Sequence, residues 1–216
     1  GTLNLFESLL DCKNLKLVTI LGTIEEYGNS KSPFKEDSLE LPNSAYGLSK
    51  LSATKLAMIF NQQFNIPVVV LRPSIAYGPE QGEEMFIPAL INALIKNQEF
   101  KMTDGSQMRD FIYIDDLTDA LLKVMNADYL PGHIINLAYG ESVMLKELAI
   151  HIATKLNRKE NLVFGGIPNR SFEIMDYKIE ISKAKELLNW HPQTSLSLGI
   201  EKTISYYSKE ILSSEV

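Results

Sequence analysis

Only one cysteine, Cys12, occurs among the 216 residues, so no disulfide can close within the chain. That fits a reducing compartment such as the cytoplasm. The three histidines, His133, His151 and His191, lie far apart in unlike surroundings. They show no metal-ligand spacing, and no metal is expected. No apolar run is long enough to span a bilayer and no signal-peptide pattern is present, so no membrane partner is expected. Positive charge is in deficit, with 21 Lys and Arg against 27 Asp and Glu, a net charge of −6. This argues against a general nucleic-acid-binding surface but leaves room for a local basic pocket. Twelve glycines are present, yet none form a Gly-x-x-Gly-x-x-Gly run, and the pair Gly165-Gly166 reads as a loop. Internal repeats and low-complexity tracts are also lacking.

What is present is an ordinary globular composition, 45% hydrophobic, in a chain long enough for one sizeable core or for one domain and part of another. Residues 2–12 read as a helix with Leu3, Phe6, Leu9 and Leu10 on one face. Apolar runs at 16–22, 67–71 and 133–138 read as buried strands, parallel and in one sheet. Residues 29–43 are polar, contain two prolines and read as a loop. The next segment, 44–64, reads as a helix with Ser44 as its N-cap. Further on, 85–96, about 116–125, 144–156 and 197–207 read as helices and 109–114 as a short strand. Asp115 or Asp116 is expected to cap the helix that runs to about Met125. Tyr77-Gly78-Pro79 reads as a turn. The alternation of buried strand and helix predicts an α/β fold with parallel strands.

The pair Tyr46 and Lys50 carries the most chemical information. Residues four apart share a helix face, so a phenol and an ammonium group lie side by side. A free phenol has a pKa of about 10. A fixed positive charge beside it favours the phenolate, which suits proton transfer in alcohol–ketone chemistry. Three other segments accompany the pair. Upstream is Val18-Thr19-Ile20-Leu21-Gly22-Thr23-Ile24-Glu25-Glu26-Tyr27-Gly28, and downstream is Leu71-Arg72-Pro73-Ser74-Ile75-Ala76-Tyr77-Gly78-Pro79. The last is Thr103-Asp104-Gly105-Ser106-Gln107-Met108-Arg109-Asp110-Phe111-Ile112-Tyr113-Ile114-Asp115-Asp116. In this order and spacing they closely resemble the extended short-chain dehydrogenase/reductases. More narrowly, they resemble the NAD-dependent epimerase/dehydratase family that acts on nucleotide sugars. The resemblance runs from Gly1 to about Tyr207.

The resemblance implies a partial doubly wound, Rossmann-type parallel sheet with a smaller C-terminal substrate-binding lobe. Residues 1–79 would form the C-terminal half of the dinucleotide-binding domain and 80–216 mainly the lobe, with segments around 109–138 returning to the first domain. By comparison with the family, the glycine-rich strand–turn–helix that cradles a pyrophosphate would precede Gly1. The resemblance makes Tyr46 the proton-transfer residue, and Lys50 the partner of both its phenolate and the nicotinamide ribose. Thr23 would hydrogen-bond the reacting sugar oxygen. The cofactor is NAD or NADP, with Tyr46, Lys50, Pro73, Ser74 and Ile75 around the nicotinamide. Ile75 stands where many members carry an Asn that contacts the nucleotide sugar. Arg109 is the diphosphate candidate, with Asp110 holding it, and Arg170 and Glu173 would meet the diphosphate and the nucleotide ribose. Loop ion pairing is the other reading of Arg170, because the family's Pro and Gly are here Ser171 and Phe172.

Ile24 and Glu25 bear on the reaction. Dehydratases usually place an acidic or polar residue and then Glu after the Thr; Ile24 cannot transfer a proton, while Glu25 is either a catalytic base or a solvent-facing neighbour of Glu26. The leading reading is a nucleotide-sugar 4-epimerase. The alternatives are a 4-ketoreductase, then a 4,6-dehydratase, then a catalytically silent member with a binding role. The family also implies a homodimer through residues 2–12 and 44–64, with Leu3, Phe6, Leu10, Leu56 and Ile59 buried in or beneath the interface.

Overall fold

A computed structural model describes residues 1–127, 130–170 and 172–214. Its first sheet is built from β1 (Val18–Leu21), β2 (Val68–Pro73) and β6 (Ile134–Leu137), in the order β1-β2-β6 and all parallel. This is the sheet expected from the three apolar runs. Its central strand shows why those runs lack alternation. Val68 and Val70 face a core with Phe6, Ala57 and Phe60, while Val69 and Leu71 face another with Ala120, Val124, Ile135 and Trp190. Successive side chains point to opposite faces, so a sheet covered on both sides needs apolar residues at every position.

One cover is made by α1 (Thr2–Leu9) and α2 (Ala45–Phe64). The other is made by α4 (Ile114–Met125) and α6 (Ser182–Leu188). Ser44 is the N-cap of α2, its hydroxyl accepting from the Gly47 N–H at 2.9 Å, and Asn65 closes the helix in the left-handed region at φ 57°. The first helix stops at Leu9, short of the expected residue 12. Its Phe6 is fully buried and Leu56 packs in the same core, whereas Leu3, Leu10 and Ile59 remain exposed.

The second sheet holds β3 (Ile75–Tyr77), β5 (Met108–Tyr113) and β7 (Ser142–Met144); β3 and β5 are parallel, β5 and β7 antiparallel. Tyr77 thus belongs to a strand and is buried, rather than opening a turn as expected. A short parallel pair joins β4 (Phe100–Lys101) to β8 (Leu162–Val163). Helices α3 (Phe86–Ile95), α5 (Leu145–Leu156) and α7 (Leu196–Ser214) enclose a separate core that includes Leu90, Leu94, Phe111, Ile152 and Ile200. Among the described residues no helix is long and apolar enough to cross a membrane.

The expected cap of α4 is corrected. Tyr113 is the N-cap position and makes no side-chain cap bond. Asp116 lies in the first turn and accepts the Gln193 and Thr194 N–H groups at 2.9 and 3.0 Å. Its carboxylate ties the helix start to the C-terminal segment instead of closing the helix on itself.

A buried ion pair fastens the end of β1 to β2. Glu26 and Arg72 side chains are both fully buried, with Arg72 Nε and Nη2 at 2.9 and 2.8 Å from Glu26 Oε2. The other Glu26 oxygen accepts from the Thr23 N–H at 3.0 Å and the Thr54 hydroxyl at 3.1 Å. Arg72 also reaches Glu40 Oε1 at 3.0 Å and lies 4.6 Å over the Tyr27 ring. Removing one member leaves a charge buried without its counterpart. Glu26→Ala is expected to lower unfolding free energy by about 3–5 kcal/mol in urea titrations. Lys55→Ala, which breaks the exposed 2.8 Å pair with Glu40, is expected to lower it by less than about 1 kcal/mol.

Candidate functional site

A cavity of about 680 Å³ opens where β1 and β2 end. Thr23 sits one residue beyond Gly22, whose N–H still bonds to the Leu71 carbonyl at 2.8 Å. The chain then enters a single 3-10 turn, Ile24–Glu26, capped by Thr23: its hydroxyl accepts from the Glu25 N–H at 3.3 Å, and the Glu26 carboxylate returns to the Thr23 N–H. Gly47 lets this turn pack on the first turn of α2, because a Cβ there would lie 2.6 Å from the Glu25 carbonyl oxygen. The close approach brings the Thr23 segment against the helix that carries Tyr46 and Lys50.

Tyr46 lines the cavity and is 52% exposed, accessible to a ligand. Lys50 Nζ donates to the Leu21 carbonyl at 3.0 Å and lies 5.8 Å from the Tyr46 ring centre. One donor of the ammonium is thereby fixed to the sheet end and the others remain available. Pro73, Ser74 and Ile75 form the adjoining wall. A half-exposed phenol, an anchored ammonium and a wall at the carboxyl ends of parallel strands fit the ribose and ring of a nicotinamide dinucleotide.

Arg109 comes from the second sheet and faces the same cavity. The expectation that Asp110 holds it is corrected. The Arg109 guanidinium pairs with Glu173, donates to the Ile174 and Met108 carbonyls at 2.7 and 2.8 Å, and stacks 4.7 Å over the Tyr177 ring. Burial pushes the Tyr177 phenol up to about 12, with Glu25 adding to the shift and Arg109 opposing it, so the ring stays neutral. Asp110 instead accepts the Tyr139 and Gly140 N–H groups at 2.9 and 2.7 Å. Arg170 and Glu173 both line the cavity, and Ser171 lies outside the described residues. Glu25 lines it too and accepts from the Ser44 hydroxyl at 3.2 Å, so it does not face open solvent. Every catalytic, cofactor and substrate residue singled out in the sequence lines this cavity except Lys50, which is anchored beside Tyr46 on the Leu21 carbonyl.

Beyond Arg109 a more apolar chamber of about 400 Å³ adjoins the first, with Phe86, Phe100, Met102 and Phe111 in its walls. Glu25, Ile75, Arg109, Arg170 and Glu173 border both spaces. Sequence reasoning missed Tyr177 and Asn43, which tertiary folding brings here from loops. It also missed the role of Glu26, although Thr23-Ile24-Glu25-Glu26 carries the spacing of a capping box.

The match with known proteins is broad. The family model for the NAD dependent epimerase/dehydratase family covers residues 1–138. The chain belongs to this family. It is 32% identical over 216 residues to a UDP-glucuronate 4-epimerase of Thermodesulfobacterium geofontis, covering 98% of this chain and 65% of that protein. It is 32% identical over 208 residues to a dTDP-4-dehydro-6-deoxyglucose reductase of Escherichia coli, covering 93% and 63%. The crystal structure of UDP-glucuronic acid 4-epimerase from Bacillus cereus, in complex with UDP-glucuronic acid and NAD, superimposes with a TM-score of 0.91 at 29% identity, covering 97% of this chain and 66% of that one. The chain thus spans about two thirds of the length of such relatives.

The environment of Asp110 generates a pH prediction. Its carboxyl is pushed up to about 6 by burial, against the opposing effect of its backbone hydrogen bonds. An unfolded Asp has a pKa of about 3.9. Between these values the native state holds a proton that the unfolded state releases. The stability contributed by Asp110 is therefore full below about pH 4 and is lost as pH rises through about 6. Urea titrations across that window are expected to show a smaller fall in stability for Asp110→Asn than for the wild type.

Proposed function

We propose that this chain carries the catalytic and substrate-binding part of an NAD(P)-dependent enzyme acting at C4 of a nucleotide sugar, with 4-epimerisation as the reaction. The observation that carries this reading is that Thr23, Tyr46 and Arg109, from three separate segments, open on one cavity, with Lys50 anchored beside Tyr46. The dinucleotide, when bound, accepts and returns the hydride. Tyr46 takes the proton from the sugar hydroxyl and gives it back. Lys50 holds the phenolate and the ribose, and Thr23 orients the reacting oxygen. Arg109 and Arg170 bind the diphosphate, a role suited to the fork of donors on a guanidinium. Glu173 reaches the nucleotide ribose, and the apolar chamber takes the base. Glu25 accepts a hydroxyl of the sugar.

Ile24 is nearly fully buried at the cavity wall, which disfavours water elimination because it supplies no proton donor there. A second reading, reduction of a 4-keto sugar with NADPH, is favoured by the identity to the E. coli reductase. The two differ in stoichiometry: an epimerase turns over without net consumption of cofactor, while a reductase oxidises one NADPH per sugar. The apolar Leu3, Leu10 and Ile59, exposed within 2–12 and 44–64, support a homodimer through that face. A monomer mass in light scattering of the full-length protein counts against it.

In the full-length enzyme Tyr46→Phe keeps the ring and removes the titrating hydroxyl. Turnover is expected to fall about 10²–10⁴-fold with little loss of stability. Lys50→Met is expected to lower turnover and weaken cofactor binding together. Arg109→Ala is expected mainly to raise KM, since a diphosphate contact is present in ground and transition states alike. Near-normal turnover of Tyr46→Phe on its nucleotide sugar sinks the mechanism.

A further inference from the structure

Three aromatic side chains line the first cavity among the described residues: Tyr46, Tyr177 and Phe172. Tyr46 belongs to the reacting set, and Tyr177 is buried with the Arg109 guanidinium over its ring. Phe172 serves neither purpose. It is 78% exposed, more than any other large apolar side chain among the described residues, and it packs into none of the apolar cores. A phenyl ring left in water at the wall of a cavity gains stability from apolar surface laid against it. The resemblance puts a glycine, without a side chain, at this position, so the ring is an addition of this chain's own.

The backbone around Phe172 is held at both limits of the space a sugar would fill. Asn43 spends its side-chain amide on two loops, donating to Asn29 Oδ1 at 3.1 Å and to the Phe172 carbonyl at 3.0 Å. Asn43 immediately precedes Ser44, the N-cap of α2, and so lies just before Tyr46 in the chain. On the other side Glu173, the next residue, pairs with Arg109. Under the nucleotide-sugar reading, on which this inference rests, the reacting carbon lies at Thr23 and Tyr46 and the diphosphate at Arg109. The sugar spans the interval between them, and the Phe172 segment is tied to both limits. Arg170 and Glu173 border the apolar chamber as well, whereas Phe172 lines the first cavity and not the chamber. The ring is thus placed for the sugar and not for the base.

We infer that Phe172 is a sugar-binding residue whose ring covers a C–H face of the hexose. A pyranose carries its hydroxyls around the rim and presents C–H groups on its faces. The face of an aromatic ring is the negative pole of its quadrupole and attracts such hydrogens. The contact adds an affinity for the sugar that the free nucleotide does not share.

The test is equilibrium binding to the full-length enzyme by calorimetry, with NAD present. UDP and dTDP come first. If neither binds the wild type, the nucleotide-sugar reading fails and this inference with it. UDP-glucose or dTDP-glucose is then compared with the free nucleotide that binds, in the wild type, Phe172→Ala and Phe172→Tyr. The ring is exposed, so its removal is expected to leave the fold intact. Phe172→Ala is expected to weaken the sugar nucleotide about fivefold and to leave the free nucleotide unchanged. Phe172→Tyr, which keeps the ring, is expected to bind both as the wild type does. The wild type is also expected to show a more negative heat-capacity change for the sugar nucleotide than for the free nucleotide, a difference that Phe172→Ala reduces, because burial of apolar surface sets it. If Phe172→Ala weakens sugar nucleotide and free nucleotide alike, or weakens neither, the assignment is overturned while the nucleotide-sugar reading stands.

Discussion

The buried pair of Glu26 and Arg72 fixes the geometry on which the site depends. One carboxylate bonds to the Thr23 backbone at the end of β1, to Thr54 in the middle of α2 and to Arg72 in β2. These are the segments that present Thr23, Tyr46 with Lys50, and Pro73 with Ser74. Without the pair, Thr23 would lie on a strand end free to move relative to a helix that packs on the sheet through apolar contacts. Apolar contacts are non-directional, whereas a carboxylate with four donors around it has one arrangement that satisfies them. Registration of a reacting set to a fraction of an ångström requires the second kind of interaction.

The pair carries a cost that the fold meets locally. Burying two ions is unfavourable unless their donors and acceptors are filled. Both Glu26 oxygens are filled. Arg72 Nε and Nη2 are filled by Glu26 and Glu40, and its planar face lies on Tyr27. Tyr27 in turn donates its hydroxyl to Asn136 Oδ1 at 2.7 Å, and burial pushes that phenol up to about 12. Polar order therefore propagates from β1 through β2 to β6 along the same sheet that is otherwise held by aliphatic packing. Arg72 Nη1 has no hydrogen-bond partner among the described residues.

Much of this was legible in the sequence, and the limits have physical reasons. Strands at 16–22, 67–71 and 133–138 could be read because a parallel sheet covered on both faces demands unbroken apolar runs. The start of α2 could be read because Ser44 is a local signal whose partner, Gly47, lies three residues on. Local chemistry of this kind survives folding. Asp110 and Asp116 could not be read in the same way. Sequence proximity suggests a neighbouring partner for each, yet each bonds to backbone N–H groups about 30 or more positions away. An Asp beside an Arg is a weak guide to pairing, because side chains one apart on a strand point to opposite faces. That geometry sends Asp110 away from the cavity as surely as it sends Arg109 into it.

The same geometry leaves Arg109 dependent on a residue from far along the chain. Glu173, 64 positions later, pairs with it and borders the cavity beside it. The Arg109 guanidinium is thus already charge-paired, largely buried, and held by two backbone carbonyls. Those carbonyls and the Tyr177 ring hold the guanidinium through contacts that do not involve Glu173. On the proposed reading, a diphosphate at Arg109 would displace Glu173 and leave the other contacts of the guanidinium in place. Glu173 borders both chambers, and on that reading its released carboxylate would meet the hydroxyl donors of the ribose between diphosphate and base. Such an exchange of an ion pair for a ligand contact would lower the net gain from the diphosphate and make recognition of the nucleoside part of the same event.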